Sequence, residues 1–400
     1  MNPSDHIIDS PIKSSPYNVP EIPIEIVSEE EMALIEAAFT ATRSSLPSSF
    51  ISSSASSSSS QSRLSLFSSV SSISFHSKRR LSGCSEGNTV RDIEDSGATQ
   101  KKSIVPQSLL DRFRRRRGLA ITDLTASEWC EKQMEFTLLY GKPRRTKAMK
   151  AGSDRHTKLE EEVIKKIKVQ VKAVEDAWGL KLMNFIVGSN QLLFEGLTRE
   201  LPLVGLVDGV WMVGAIDELR MPLTEEIRTP SLVDTKTRVK ATLPSEPQQR
   251  NGRLQLMCYK YLWDNIVADS FPADRFFDFF GLNPHHVLSE DIIEHATSSG
   301  FPVKTLEDLV TCFRNACCLL PPAHDQLLLR YELQGDHSLL GEDQFAYESD
   351  WLKSQIQCCL EFWMGNREAR YVPAEERWKC RICKFASVCP TNTSTNSSSS

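Results

Sequence analysis

The chain has 400 residues, of which 40% are hydrophobic and 25% charged, and its formal net charge is -5. This length and apolar content suffice for one large domain or two small ones with a buried core. The net charge excludes a protein that coats polyanions over its whole surface, and no apolar run approaches the roughly 20 residues of a membrane-spanning helix. Eleven cysteines, an odd number in a chain this long, favour a reducing intracellular compartment over a secreted disulfide framework.

The first hundred residues have the composition of a disordered region. Serine dominates residues 41–104, so this segment cannot bury enough apolar surface to offset chain entropy. Ser28 and Glu31 form a capping pattern that predicts a short helix over residues 29–40. The composition resembles an organellar transit sequence, whereas the acidic residues 29–31 oppose that interpretation, so nucleus, chloroplast and mitochondrion are all open. We predict disorder over residues 1–104 and over the polar tail 391–400.

The ordered domain is predicted to span residues 105–390. Apolar residues at spacings of four or seven predict a long amphipathic helix from residue 153 or 154 to about Gly179. The later elements are predicted in this order: β-rich runs at 185–187, 203–205 and 210–213, a strand at 231–239, a helix at 253–267, a strand at 326–333 and a helix at 351–363. This order predicts an α/β core with one mixed β-sheet flanked by helices.

Two acidic residues and a lysine lie on adjacent predicted strands. The two-residue period of a strand places Asp234 and Lys236 on one face, and Asp217 ends the preceding apolar run. Phosphodiester hydrolysis requires two carboxylates that share a divalent ion such as Mg²⁺ (or Mn²⁺), together with a lysine that orients water or neutralises developing charge. A D-x-K triplet alone is common on solvated strands, so this pattern depends on its context.

Predicted helices supply that context. Gly152 and His156 form a G-x3-H pattern before the strands, and Gln255 and Tyr259 lie four residues apart on the helix after them. The amide and phenol can bind a phosphate or brace the lysine, although Tyr259 alone fits a core position equally well. The order G-x3-H, G-x-I-D, D-x-K and Q-x3-Y in helix, strand, strand and helix is far more specific than any one of the four patterns.

Four cysteines have the spacing of a metal centre. Cys380, Cys383 and Cys389 form a Cys-x2-Cys-x5-Cys pattern, and a closed four-thiolate site requires one more ligand, for which the remote Cys130 is the candidate. Zinc and iron-sulfur clusters both accept four thiolates, and spacing alone does not choose between them. Either group would join the two ends of the domain.

Together these motifs resemble the RecB-type nucleases of the PD-(D/E)XK superfamily, and most closely the exonuclease V family. The resemblance covers residues 105–390 and lies in the segments 121–124, 129–133, 213–219, 234–238, 255–261 and 378–389. Asp234 stands where that family more commonly has glutamate. The resemblance implies a PD-(D/E)XK nuclease core. It also implies a 4Fe-4S cluster that joins the N- and C-terminal parts of the domain as a staple and is held by Cys130, Cys380, Cys383 and Cys389.

The resemblance further implies a monomeric exonuclease that hydrolyses single-stranded DNA from its ends in DNA repair. In that case His156, Asp217 and Asp234 bind Mg²⁺ or Mn²⁺, and Lys236 positions water or stabilises the pentavalent charge. Gln255 and Tyr259 then organise the scissile phosphate. Asp208 is a rival for the first carboxylate and ranks below Asp217, because Asp217 fits the family motif.

Basic residues are candidate DNA-binding groups, and a single-strand-binding protein is a candidate partner. The candidates are Arg114, Arg115, Arg116, Arg144 and Arg145. An alternative function is a non-catalytic nucleic-acid-binding protein stabilised by a four-cysteine zinc or iron-sulfur site, which would need the cysteines but none of the carboxylates. A helicase-nuclease fragment is excluded, since the sequence contains no G-x4-G-K-S/T phosphate loop.

Overall fold

A computed structural model describes residues 107–164, 169–223, 228–268 and 271–390. The predictions for residues 1–104, including the helix at 29–40, and for the tail 391–400 lie outside these residues. Within them the chain forms a mixed six-stranded sheet flanked by helices, so the predicted α/β core with one mixed sheet is confirmed. None of the helices in these four ranges is long and apolar enough to cross a membrane.

The elements follow one another along the chain, and we number them in that order. They are α1 (Leu109–Arg114), β1 (Leu119–Ala120), α2 (Ile121–Tyr140), α3 (Lys147–Glu161), α4 (Val174–Glu195), β2 (Leu197–Val207), β3 (Val210–Arg220), β4 (Ser231–Arg238), α5 (Glu246–Val267), α6 (Ala273–Phe280), α7 (Glu290–Ser298), α8 (Leu306–Cys318), β5 (Gln326–Leu333), β6 (Leu339–Ala346), α9 (Ser349–Trp363) and a 3-10 helix (Ala374–Ile382).

Strand β3 organises the sheet. One edge of β3 pairs with β2 in antiparallel register, while the other edge pairs with two different strands. On that second edge β1 runs parallel beside Met212 and Val213, and β4 runs antiparallel beside residues 218–220. Strand β5 extends the sheet parallel to β4, and β6 follows antiparallel to β5. We call the place where β3 and β4 separate, at residues 214–217 and 234–236, the fork.

Large aromatic side chains hold the helical layer against the sheet. Trp178 of α4 lies edge-on to Phe276 of α6, with ring centroids 5.0 Å apart. Trp211 of β3 lies 5.8 Å from Phe276 and 5.6 Å from Phe280. Each such ring buries about 150–250 Å² of surface, so this group fixes α4 and α6 relative to β3.

The predicted single helix over residues 153–179 is wrong. Helix α3 ends at Glu161, and a separate helix, α4, begins at Val174. The buried carboxylate of Asp176 accepts hydrogen bonds from the backbone N–H groups of the two residues before Val174, at 3.0 and 3.2 Å, and from that of Ser289, at 2.8 Å. These bonds stabilise a helix N-terminus that the apolar periodicity does not reveal.

The predicted β-rich run at 185–187 is also wrong, because these residues lie inside α4. Phe185 and Ile186 are both buried, and a short apolar run of this kind fits a buried helix as well as a strand. The other strand predictions are confirmed: the runs at 203–205 and 210–213 lie in β2 and β3, and the strands at 231–239 and 326–333 match β4 and β5.

Candidate active site and cysteine cavity

The two predicted carboxylates meet at the fork. The pairing of β3 with β4 ends at Glu218 and Val233, so Asp217 and Asp234 are the next residues of each strand, where the strands separate. Their side chains share a hydrogen bond. Because Lys236 follows Asp234 by two residues, its side chain leaves β4 on the same face, and its Nζ lies 2.7 Å from Asp234 Oδ2.

The groups at the fork have opposite pKa shifts. Burial and the negative charge of Asp234 raise the pKa of Asp217 well above its ordinary value. Burial also disfavours the charged form of Asp234, but the ammonium of Lys236 and the hydrogen bond from Asp217 together outweigh burial and lower the pKa of Asp234. Burial disfavours the ammonium of Lys236 in turn, and the charges of Asp234 and Asp217 outweigh it and raise its pKa. The fork therefore holds one ion pair beside a carboxyl group that a cation would ionise.

The Asp234 carboxylate has few hydrogen-bond donors within the protein. This residue is 1% exposed, and apart from Lys236 and Asp217 no described residue donates a hydrogen bond to either of its oxygens. Burial of a carboxylate is costly unless charge and hydrogen bonds compensate it. Asp234 and Asp217 are residues that would hold a divalent cation, and such a cation would supply the positive charge that the protein side chains do not provide.

Helix α3 brings a histidine to the same place. His156 Nδ1 lies 3.5 Å from Asp217 Oδ2 and 3.7 Å from Glu200 Oε1. One ligand atom from each of these three residues lies within 4.8 Å of the other two. Carboxylate oxygens suit Mg²⁺ and Mn²⁺, and imidazole nitrogen suits many transition metals, so this group can hold a divalent ion.

Glu200 was not predicted from the sequence. It lies on β2 between the pairs Arg199 with Glu218 and Leu201 with Ile216, so the register places it opposite Asp217. Its φ angle of 50° is in the left-handed region, which is uncommon for residues other than glycine and tends to be retained at functional sites. No local pattern identifies Glu200, because its position depends on how β2 pairs with β3.

The G-x3-H pattern has a packing reason. A Cβ atom at Gly152 would lie 3.1 Å from Thr237 Oγ1, so a glycine lets α3 approach β4 closely. Gln334 Nε2 donates hydrogen bonds to Thr237 Oγ1, at 2.9 Å, and to the carbonyl of Ala148, at 2.8 Å. The start of α3 is thus tied to the strand that carries Asp234, and the helix then brings His156 to the fork.

Helix α5 supports the lysine. Lys236 Nζ donates a hydrogen bond to Gln255 Oε1 at 2.8 Å, and Gln255 Nε2 donates to the hydroxyl of Tyr259 at 3.3 Å. Tyr259 is buried, and a Cβ atom at Gly214 would lie 2.6 Å from its ring, so only glycine fits that position of β3. The structure therefore places Gln255 as a brace for Lys236 and Tyr259 as the support of Gln255.

Asp208, the rival carboxylate, lies away from the fork. It is exposed in the turn between β2 and β3, with a φ of 48°. Val210, just after that turn, is seven residues from Asp217 along β3, which is about 23 Å at the rise of a β-strand. A single metal ion cannot contact both ends of this strand.

The four predicted cysteines line one cavity. Cys130 of α2 lies opposite Cys380, Cys383 and Cys389. The backbone of Cys130 is extended, with φ -172° and ψ 108°, which kinks α2. Burial raises the pKa of the Cys130 and Cys380 thiols, so a bound metal would be needed to hold them as thiolates.

The thiol sulfurs of the cavity are grouped less tightly than the ligand atoms at the fork. Within the described ranges, one group of at least three His, Cys, Asp or Glu residues has ligand atoms that all lie within 4.8 Å of one another. That group is His156, Glu200 and Asp217. No three of the four thiol sulfurs are therefore so close. Tetrahedral zinc with Zn–S bonds of about 2.3 Å would bring its sulfurs to about 3.8 Å from each other.

Ion pairs join the segments around the cavity. Both carboxylate oxygens of Glu131, which follows the kink in α2, lie 2.6 Å from guanidinium nitrogens of Arg367. Arg250 of α5 lies 2.8 Å from Glu128 of α2 and 2.8 Å from Glu376 of the 3-10 helix. These pairs are not apparent from the sequence, because each joins residues more than a hundred positions apart.

Arg114, one of the predicted DNA-binding residues, is used inside the fold. Its guanidinium makes two bonds to Asp123, at 2.6 and 2.7 Å, and lies 5.2 Å from the ring centre of Trp363. Of the five candidates it is therefore the least suited to contact DNA. Arg115 and Arg116 are exposed just after α1, and Arg144 and Arg145 are exposed between α2 and α3.

Comparison with known proteins agrees with these observations. A family model described as "Exonuclease V - a 5' deoxyribonuclease" matches residues 108–230, 222–309 and 300–390. The chain is 29% identical over 329 residues to Exonuclease V of Danio rerio, which covers 80% of this chain and 81% of the relative. It is 32% identical over 65 residues, 16% of this chain and 10% of the relative, to "Exonuclease V, mitochondrial" of Candida dubliniensis. Because the matched segments include the fork and the cysteine cavity and cover most of the chain, this protein belongs to the exonuclease V family.

Proposed function

We propose that this protein is a metal-dependent exonuclease that degrades single-stranded DNA from its 5' end and acts in DNA repair. The observation that carries the proposal is the fork, where His156, Glu200 and Asp217 converge beside the Asp234–Lys236 ion pair. The description of the family as a 5' deoxyribonuclease supports DNA as the substrate and the 5' end as the point of attack.

The residues at the fork suit hydrolysis of a phosphodiester. A bound Mg²⁺ or Mn²⁺ would polarise a phosphoryl oxygen and favour ionisation of water. His156, Glu200, Asp217 and Asp234 are the residues that would hold it. Lys236, held between Asp234 and Gln255, can orient the attacking water or neutralise the charge that develops on the phosphate.

We propose that the cysteine cavity holds a 4Fe-4S cluster. One remote cysteine and a C-terminal triplet, the arrangement that the resemblance to the exonuclease V family associates with an iron-sulfur cluster, support this choice over zinc. A group bound there would join α2 to the C-terminal segment. The thiolates come from both ends of the domain, so we propose that the cluster has a structural role and takes no part in hydrolysis.

We also propose that the protein acts as a monomer inside the cell, in the nucleus or in an organelle. The mitochondrial name of the Candida dubliniensis relative supports an organellar location. A single-strand-binding protein stays a candidate partner, since it would occupy the same substrate.

The proposal is tested with the full chain and four DNA substrates. These are linear single strands labelled at the 5' or the 3' end, a circular single strand and a blunt duplex. We expect Mg²⁺-dependent release of short products at once from the 5' label, gradual shortening of the 3'-labelled strand, and no cleavage of the circle or the duplex. Cleavage of the circle would show an endonuclease. Binding without hydrolysis of any substrate would establish the non-catalytic alternative.

A further inference from the structure

Three aromatic residues meet beside the end of α2, and one of them, Tyr140, is exposed, while Phe136 and Phe385 are half-buried. The ring centres of Phe136 and Tyr140 lie 5.9 Å apart, and those of Phe136 and Phe385 lie 5.8 Å apart. Tyr140 also lies 6.4 Å from Phe385, which belongs to the cysteine-bearing C-terminal segment. Tyr140 is nevertheless 69% exposed. We call these three residues the aromatic ridge.

Exposed apolar side chains occur in the same two segments of the chain. Leu139 is 44% exposed, and Ile382 and Val388, which flank Phe385 in the chain, are 65% and 55% exposed. Isolated exposed apolar residues need no explanation, but several of them in the two segments that carry the ridge favour a binding surface.

A strongly basic segment leads from the ridge towards the fork. Residues 141–153 contain no acidic residue, and their basic residues are Lys142, Arg144, Arg145, Lys147 and Lys150. All five are exposed. Within α3, His156 lies nine residues after Lys147, about 14 Å at the rise of an α-helix. The segment therefore connects the aromatic ridge with the helix that brings its histidine to the fork.

We propose that the aromatic ridge binds unpaired bases of single-stranded DNA, while residues 142–150 contact the phosphates between the ridge and the fork. This inference rests on the proposed function and adds a substrate subsite to it. The exposed ring of Tyr140, backed by Phe136 and Phe385 and followed by a basic segment, matches a ligand that combines flat apolar faces with a regular row of negative charges. A duplex hides its base faces, so stacking on Tyr140 selects single strands.

The test measures binding in Ca²⁺, which replaces Mg²⁺ to prevent hydrolysis. The probes are a thymidine oligonucleotide and an abasic oligonucleotide of equal length, followed by fluorescence anisotropy. Tyr140→Ala should weaken binding of the thymidine oligonucleotide about 5- to 150-fold, the range that corresponds to one stacked base, and leave binding of the abasic one unchanged. Tyr140→Phe should bind both probes like the natural protein, because it keeps the ring.

Phe194 supplies the matched control. It is 78% exposed on α4, outside the ridge, so Phe194→Ala should leave both affinities unchanged. A double variant, Lys142→Gln with Arg144→Gln, should weaken both probes equally and flatten the dependence of affinity on salt, because it removes phosphate contacts only. Unchanged thymidine binding in Tyr140→Ala, or an equal loss with the abasic probe, would overturn the inference.

The outcomes separate this inference from the proposed function. If the natural protein hydrolyses single strands and Tyr140→Ala binds them normally, the ridge is not a base subsite but the nuclease proposal stands. If no DNA is hydrolysed while Tyr140→Ala selectively loses thymidine binding, the ridge stands and the nuclease proposal fails.

Discussion

Negative charge dominates the fork at the residue scale. Glu200, Asp217 and Asp234 lie around a single ammonium, that of Lys236, and the raised pKa of Asp217 reflects burial together with the unfavourable charge of its neighbour. A divalent cation would relieve this repulsion and keep both aspartates ionised. The ion pair with Lys236 offsets part of the cost of burying Asp234.

Loss of either the carboxylate of Asp217 or the ammonium of Lys236 should reduce hydrolysis severely. We expect Asp217→Ala and Lys236→Ala each to lower the Mg²⁺-dependent release of nucleotides from single-stranded DNA by about 1,000-fold or more, a loss of about 4 kcal/mol in transition-state stabilisation. The visible absorbance of the purified protein should not change, since neither residue touches the cysteine cavity. Asp208→Ala is the control and should keep the natural rate. A greater loss in Asp208→Ala than in Asp217→Ala would contradict the assignment of the first carboxylate.

Local spacing was enough to predict part of the fork. Asp234 and Lys236 follow from the two-residue period of a strand, and the Gln255–Tyr259 pair follows from helical spacing. Glu200 could not be found in this way, because its approach to Asp217 depends on the register between β2 and β3. The burial of Tyr259 against Gly214 likewise depends on how α5 packs on the sheet.

At the scale of elements, α2 and the C-terminal segment act as one unit around the cysteine cavity. The kink in α2 lies at Cys130. On either side of it, Glu131 pairs with Arg367, and the ring of Trp129 lies 5.8 Å from that of Trp378, so both contacts join the two ends of the domain. A metal centre with ligands on both sides would complete this junction.

The remote cysteine should be as important as those in the triplet. Cys130→Ser should lose iron and lower thermal stability as severely as Cys383→Ser, because each removes one ligand from a shared centre. The measurements are iron and sulfide content, visible absorbance and thermal unfolding. Cys318→Ser is the control, since Cys318 is exposed at the end of α8 and does not line the cavity. Full iron content in Cys130→Ser would refute the shared four-cysteine site.

Arg250 should connect the junction of α2 with the C-terminal segment to α5, the helix that carries Gln255. It lies on α5, five residues before Gln255, and bonds to Glu128 and Glu376 on the two elements beside the cavity. Arg250→Ala removes the cation shared by two mostly buried carboxylates and leaves Glu128 with the amide of Asn251 and Glu376 with Lys379. We therefore expect the free energy of unfolding to fall by about 2 kcal/mol or more in a denaturant titration. Arg330→Ala, which removes a more exposed pair with Glu342 at 3.2 Å, should cost clearly less. Equal losses in the two variants would argue against this connection.

Elements with a strong local signal were predicted, and those that depend on distant contacts were not. Strands β4 and β5 follow from alternation and turn residues in the sequence. The break between α3 and α4 was missed, because the bond between Asp176 and the backbone of Ser289 joins residues 113 positions apart. Burial on all sides also removed the periodicity that would have identified residues 185–187 as helix.

On the scale of the whole molecule, every proposed ligand lies between Cys130 and Cys389. The serine-rich residues 1–104 contain none of them, and their composition predicts disorder. A protein that begins at Lys101 should therefore keep the natural nuclease rate and iron content in vitro. In cells its location should differ from that of the full chain, because the predicted helix at 29–40 and the basic residues 78–80 are suited to recognition by a receptor. Loss of iron or activity in the shortened protein would place the domain boundary earlier in the chain.

The claim that the fork is a metal-dependent nuclease centre is tested most directly by locating the metal. Crystals of the natural protein soaked in Mn²⁺ should show an anomalous peak within about 2.5 Å of the Asp217 carboxylate, with ligands drawn from His156, Glu200 and Asp234. Asp217→Ala crystals, soaked in the same way, should lose that peak. A Mn²⁺ ion bound elsewhere, or an empty fork in crystals of a protein that Mn²⁺ activates in solution, would contradict the account.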